Sequence, residues 1–309
     1  MSTPQYPQAG TVTKGAVDSL LPAGRAPGDA RILWVHAHPD DESIATGGSI
    51  AHYARTGASN VLLTMTRGER GEVIPAPLGH LEVGQPGCPD TDGTALGLYR
   101  VGELDDAAAA LGLSDRFFAG ETPAFDESVG FANGLGRYLD SGMSWGDNGR
   151  AQPAEDVSSA ALTSATEDEA AAHVAAAIRE VRPHVVVTYC DDGGYGHPDH
   201  VRTHHVTMLG IDKAKRPADG AEAWDVPLVW GTEGDVDPAD QRQQAVISGD
   251  LNAKRAAMAA HATQIVLPED ASETFELSNG VPQRLTATEH YRLLSGDLNS
   301  GDLDSGDRS

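Results

Sequence analysis

The sequence predicts an α/β fold: a Rossmann-like, mostly parallel sheet flanked by helices, with a smaller C-terminal lobe. Three observations predict it. Short, almost wholly apolar runs recur at 32–35, 60–66 and 184–189, as suits parallel strands covered on both faces. Helix-like stretches rich in Ala, Leu and Ile alternate with them, the pattern of repeated β-loop-helix units. Polar residues collect directly after the runs, where open α/β sheets bind ligands.

Composition bounds the rest. The 309 residues are 39% hydrophobic, enough for one large domain or a domain with a smaller lobe. The expected layout is a disordered N-terminal extension over 1–29, one catalytic domain over 30–294 with a long surface excursion near 120–165, and a disordered acidic tail over 295–309. The formal net charge is -24, which makes nucleic acid and anionic membrane surfaces poor partners. No apolar run reaches the roughly 18 residues of a spanning helix, and no secretory signal is evident. Cys88 and Cys190 lie outside any CxxC spacing and read as free thiols in a reducing cytoplasm.

Taken in order, 32–35 is the first strand, continued by His36-Ala37 toward a loop. A helix follows over 42–56, with Ile44, Ile50 and Tyr53 facing inward, and Gly57 stops it. Gly47-Gly48 costs helix propensity; it reads as close helix–sheet packing or as clearance for a ligand. The second strand, 60–66, ends in a charged loop at 67–72, and 74–97 is irregular. A helix spans 99–111 and ends at Gly112; 116–118 is a short strand. Residues 123–164 run over the surface, although 138–143 can dip toward a cleft. Thr166 and Glu169 form a capping box for a helix over 166–181. After Pro183 comes the strand 184–189. A helix over 201–209 starts within or just after His197-Pro198-Asp199-His200. A polar linker over 213–223, a strand over 227–231 and a helix over 252–261 that includes His261 follow. The edge strand 275–277 and a short helix-like stretch, 288–294, close the domain. Neither GxGxxG after the first strand nor GxxxxGK[ST] is present, so nucleotide binding by those devices is unsupported.

The chemistry concentrates in His38-Pro39-Asp40-Asp41-Glu42 and, about 160 residues on, in Tyr195-Gly196-His197-Pro198-Asp199-His200. Acids packed this closely favour a cation among them. His38, Asp41 and His200 are plausible ligands, since catalytic zinc commonly keeps three N/O ligands; the same set suits Fe(II). Asp40 is left as the general base for the attacking water, and Glu42 as support for the first helical turn. His197, held by Asp199 as an imidazolium, would donate to an oxyanion or to the leaving nitrogen. Tyr195 can polarise a carbonyl. Each cluster alone has a plainer reading: Asp caps helices, and His-Pro-Asp-His can be an ordinary polar turn. Together, each after an apolar strand, they define a site for hydrolysis of an amide or ester. His36, His52, His173 and His184 read as structural or surface residues.

These paired motifs resemble the LmbE-like/PIG-L zinc N-deacetylase family, within it the mycothiol-pathway branch. Supporting stretches are 36–42, Ala51-His52-Tyr53, 71–74, 99–104, 140–143, 182–189, 193–200 and 257–264. The resemblance implies one Zn²⁺ per subunit on His38, Asp41 and His200, Asp40 as general base, and His197 as acid or transition-state stabiliser oriented by Asp199. It makes Tyr195 a substrate-side residue, and Arg100 and Asp140 substrate-binding. The implied substrate is a small-molecule pseudodisaccharide, 1-D-myo-inosityl 2-acetamido-2-deoxy-α-D-glucopyranoside, which loses acetate. A mycothiol S-conjugate amidase or another GlcNAc-type deacetylase is the alternative, and a non-catalytic metal- or sugar-binding domain a third.

Overall fold

Alternation along β1 (Arg31–His36) divides the interior in two: Ile32 and Trp34 enter one apolar layer, Leu33 and Val35 the other. The computed structural model describes residues 15–146, 150–218, 220–234, 242–269 and 272–299. After β1 come α1 (Asp41–Arg55), β2 (Ser59–Thr64), α2 (Thr94–Leu111) and β3 (Asp115–Phe118). A small hairpin, β4 (Met143–Trp145) with β5 (Ala151–Pro153), precedes α3 (Glu167–Val181), β6 (Val185–Tyr189) and α4 (Pro198–Ala214). The chain closes with β7 (Leu228–Glu233), β8 (Gln244–Ser248), α5 (Leu251–Ala260), β9 (Thr274–Phe275), β10 (Gln283–Arg284) and β11 (Thr288–Gly296).

The main sheet has the order β3-β2-β1-β6-β7-β11-β8. β3, β2, β1, β6 and β7 pair in parallel, and β11 runs antiparallel to both β7 and β8. Ile50, Tyr53, Leu104, Leu111 and Ala257 bring α1, α2 and α5 onto one face. Val174, Ile178, Val206 and Ile211 bring α3 and α4 onto the other. A third cluster, Met258, Ile265, Phe275 and Leu285, builds the smaller C-terminal lobe around β9 and β10. The expected Rossmann-like sheet with a C-terminal lobe is therefore what the chain forms.

Several local expectations change. The N-terminal extension is not a loose lead-in where it is described: Val17 bridges Ala245, the Leu20 amide donates to the Tyr53 hydroxyl (2.7 Å), and Trp230 donates to the Leu20 carbonyl (2.9 Å). Residues 1–14 and 300–309 lie outside the described residues, and the first Ser-Gly of the acidic tail belongs to β11. The stretch 288–294 is a strand, not a helix. Its Glu, Arg and Leu favour helix, but Glu289 and Tyr291 alternate inward between two partner strands, and that context prevails. β8 was not anticipated. α2 starts five residues earlier than 99, because the Asp90 carboxylate accepts from the Gly93 and Ala95 amides (both 2.8 Å).

Thr166 does cap α3 through the Glu169 amide (3.2 Å). Glu169 does not complete the box; its carboxylate takes the Tyr138 hydroxyl (3.0 Å) and the Ala132 amide (3.2 Å), fastening the surface excursion to the core. Gly47-Gly48 serves packing rather than ligand clearance: a Cβ on Gly48 would stand 3.0–3.1 Å from Ala287.

Candidate metal centre and active site

β1 and β6 are neighbours, yet the sheet continues from β1 toward β2 and from β6 toward β7. The helices that follow them pack on opposite faces, α1 on one and α4 on the other, the arrangement at which open α/β sheets bind ligands. The loop after β1 carries His38 and Asp40 and ends in Asp41, the first residue of α1. The loop after β6 carries Tyr195 and His197. His197 is the N-cap of α4, which puts His200 in its first turn. Gly193 is required in that loop: its φ is +63°, and a Cβ would meet the Val201 amide at 2.8 Å.

The structure brings His38, Asp41 and His200 together. Asp41 Oδ2 is 3.3 Å from His38 Nδ1, and Oδ1 is 3.2 Å from His200 Nε2. The Tyr189 hydroxyl donates to Asp41 Oδ2 (2.8 Å) and its ring stacks on His200, centroids 4.2 Å apart. His200 Nε2 is buried and, apart from this approach to Asp41, has no hydrogen-bond partner among the described residues, as suits a nitrogen and a carboxylate that would share an ion. His38, His197 and His200 also offer ring nitrogens within 4.8 Å of one another. This His/Asp cluster is able to hold a divalent cation. Burial works against charge on His38, but Asp140, Asp199 and Asp41 hold its pKa well above the ordinary value; burial likewise opposes ionisation of Asp41, and His200 and His38 hold it well below. An assembly of imidazoles and carboxylates that must share protons is one a cation can replace them in.

Asp40 stands beside the cluster with φ +118° and ψ -31°, a backbone few side-chain-bearing residues adopt. Three contacts hold it. Its amide donates to Glu42 Oε2 (3.0 Å), its carboxylate pairs with Arg100 Nη2 (3.1 Å), and Arg100 also donates to the Pro39 carbonyl. Burial raises the Asp40 pKa to about 6 against the pull of Arg100. Glu42 is fully buried, and its Oε1 meets His261 Nε2 at 2.7 Å. The residue assigned to helix support thus ties the Asp40 loop to the end of α5.

His197 and Asp199 are adjacent as expected, but the pairing differs. The Asp199 amide donates to His197 Nδ1 (3.1 Å), while its carboxylate takes the Ser141 amide (2.9 Å), the Ser141 hydroxyl and His38 Nε2 (3.2 Å). An Nδ1 that accepts leaves the ring proton on Nε2. Burial, then His38 and His200, push the His197 pKa well below its ordinary value. The Asp199 carboxylate therefore does not hold the His197 ring as expected; His197 Nδ1 accepts from the Asp199 backbone instead. The rings of Tyr195 and His200 are 5.2 Å apart, and Tyr195 is 44% exposed at the rim.

Arg100 and Asp140 reach the site but are tied to the protein itself. Arg100 is 2% exposed and also donates to the Gly68 carbonyl (2.8 Å). Asp140 accepts from the Arg70 amide (3.2 Å) and the Gly142 amide (2.8 Å), and lies 3.7 Å from His38 Nε2. Sequence reasoning missed Tyr189, Ser141 and Glu69. Tyr189 ends an apolar strand and Glu69 sits in a charged loop; position at a strand end was the available signal. Glu69 is buried beside Asp140, accepts from its amide (3.1 Å), and burial lifts its pKa to about 7. His36, His173 and His184 are structural: they bond Thr46 (2.9 Å), the Gly130 carbonyl (3.0 Å) and the Arg31 amide (3.0 Å).

A Rossmann-like sheet with a His/carboxylate centre at its switch point is the build of a metal-dependent α/β hydrolase. The profile of the PIG-L family, GlcNAc-PI de-N-acetylase, matches residues 33–210. The chain is 44% identical to a 1D-myo-inositol 2-acetamido-2-deoxy-alpha-D-glucopyranoside deacetylase of Kineococcus radiotolerans, over 86% of this chain and 78% of that protein. It is 40% identical to the protein of the same name from Streptomyces avermitilis, over 88% and 94%. The solved N,N'-diacetylchitobiose deacetylase from Pyrococcus horikoshii shares the fold, at 16% identity and a TM-score of 0.51 over 79% of this chain and 74% of that one. The chain belongs to the PIG-L family.

Proposed function

We propose that this protein is a zinc-dependent hydrolase that removes the N-acetyl group from 1-D-myo-inosityl 2-acetamido-2-deoxy-α-D-glucopyranoside in mycothiol biosynthesis. The observation that carries the substrate is the similarity, over most of both chains, to two proteins named for that deacetylation. The chemistry is supported by the meeting of His38, Asp41 and His200, with Asp40 and His197 beside them. His38, Asp41 and His200 would hold the ion, and His197 would stay free. The bound ion would supply Lewis acidity toward the amide carbonyl and acidify the attacking water.

The chain's own groups divide the remaining work. Asp40 takes the proton from water as its oxygen bonds to the acetamide carbon. The Nε2–H of His197 donates to the oxygen on which charge develops. The C–N bond then breaks; the amine takes the proton and acetate leaves. Arg100 keeps Asp40 oriented through the Pro39 carbonyl and the Asp40 carboxylate. A cytoplasmic setting belongs to the same proposal and rests on the free thiols of Cys88 and Cys190. The test is acetate release from the inosityl substrate by purified, zinc-loaded protein. Turnover that stops in chelator and returns with Zn²⁺ supports the reading; no acetate from the loaded protein overturns it.

A further inference from the structure

We propose that Trp145 determines substrate choice by packing its exposed indole against the second ring of the substrate, the one joined to the acetylated sugar. This rests on the function proposed above. Trp145 is 55% exposed, whereas Trp34 and Trp230 are fully buried. A lone surface aromatic needs no explanation, but this one lies in a row. Its ring centroid is 5.8 Å from that of Tyr195, which is itself 5.2 Å from His200 and 5.9 Å from His197. These contacts lead from the candidate metal centre through Tyr195 to the solvent-exposed indole. With an acetamide carbonyl held at the centre, the sugar bearing it lies beside Tyr195, and the ring attached to that sugar reaches the indole.

The indole is held in register with the site. β4 and β5 pair with Trp145 opposite Ala151, and the Ala151 amide donates to the Tyr195 carbonyl (3.0 Å). A Cβ on Gly196 would stand 3.3 Å from the Ala151 carbonyl and from Arg150, so the hairpin rests directly on the loop that carries His197. Arg150 Nη2 donates to the Asp192 carbonyl (3.3 Å) and lies 3.6 Å from its carboxylate. The rim thus offers an aromatic face flanked by charged groups. A cyclitol or pyranose has the complementary surface, a face of C–H bonds bounded by hydroxyls, and ligand sites commonly combine such aromatic walls with a few polar groups. Asp40 and the ion-holding residues act on the acetamide whatever is attached to the sugar. Trp145 is the group that separates two-ring substrates from one-ring ones.

The experiment compares Trp145→Ala and Trp145→Phe with wild type, using the inosityl substrate and N-acetylglucosamine, which lacks the second ring. Trp145→Ala is expected to raise KM for the inosityl substrate about tenfold with kcat within about twofold, and so to lower the preference for that substrate over N-acetylglucosamine, as a ratio of kcat/KM values, about tenfold. Trp145→Phe should restore most of the lost affinity. In a parallel titration, the deacetylated inosityl glucosamine should perturb tryptophan emission in wild type but not in Trp145→Phe. An unchanged KM in Trp145→Ala, or equal losses on both substrates, overturns the proposal while leaving the function standing. A wild type that releases no acetate from the inosityl substrate overturns the function and this proposal with it.

Discussion

In the proposed mechanism the chemistry turns on Asp40, whose unusual backbone is held by Glu42 and Arg100 rather than by its own preference. Asp40→Asn keeps size and polarity but cannot accept the proton. It should lower kcat by about 10²–10⁴-fold with bound zinc unchanged, measured by steady-state acetate release beside metal analysis. The competing three-imidazole set is separable in the same assay: Asp41→Ala should lose the ion, and His197→Ala should keep it while losing activity. Glu69 gives a pH prediction. Its pKa of about 7 lies above the 4.5 of an unperturbed glutamate, so the folded state holds the proton more tightly than the unfolded chain. The stabilisation is complete below pH 4.5 and is lost as pH rises through about 7. A rise of about 2.5 units corresponds to about 3 kcal/mol. Denaturant unfolding at pH 5 and pH 8 should record most of that loss in wild type, and a much smaller one in Glu69→Gln.

At the level of elements, α5 anchors the site although it supplies no candidate ligand. His261 at its end pairs with Glu42 in full burial, and Thr263 donates to both Glu103 oxygens (2.8 and 2.6 Å). His261→Ala leaves a buried carboxylate without its partner and should cost about 3–5 kcal/mol. Replacing both members, by Glu42→Gln with His261→Gln, should recover much of that, as read from unfolding midpoints. These long-range ties were the part the sequence did not reveal. The strands carrying the two motifs were legible because buried parallel strands leave unbroken apolar runs, as in Val185-Val186-Val187. The His38, Asp41 and His200 grouping was legible because each motif follows such a run. β11 was not, because its Glu289 goes inward to Lys254 (2.7 Å) and to the Gly48 and Ser49 amides (2.9 and 2.8 Å), against the usual outward habit of glutamate. The redirected Asp199 carboxylate was equally hidden, since its partner Ser141 arrives from the surface excursion.

Across the whole molecule, the described N-terminal segment closes one apolar layer, with Leu20 fully buried between Tyr53 and Trp230. Leu20→Ala should therefore destabilise by about 2–5 kcal/mol, checked by thermal and denaturant unfolding; a loose extension would give no change. The net charge of -24 adds self-repulsion that salt screens, and the melting temperature should rise between low and physiological ionic strength.

The centre sits at the seam between β1 and β6. His38 and His200 become neighbours only once those two strands have zipped together, so capture of a divalent ion would report that pairing. The ion would then act as a clasp on the molecule's middle, and stripping it with chelator should lower the melting temperature in proportion to how tightly it was held.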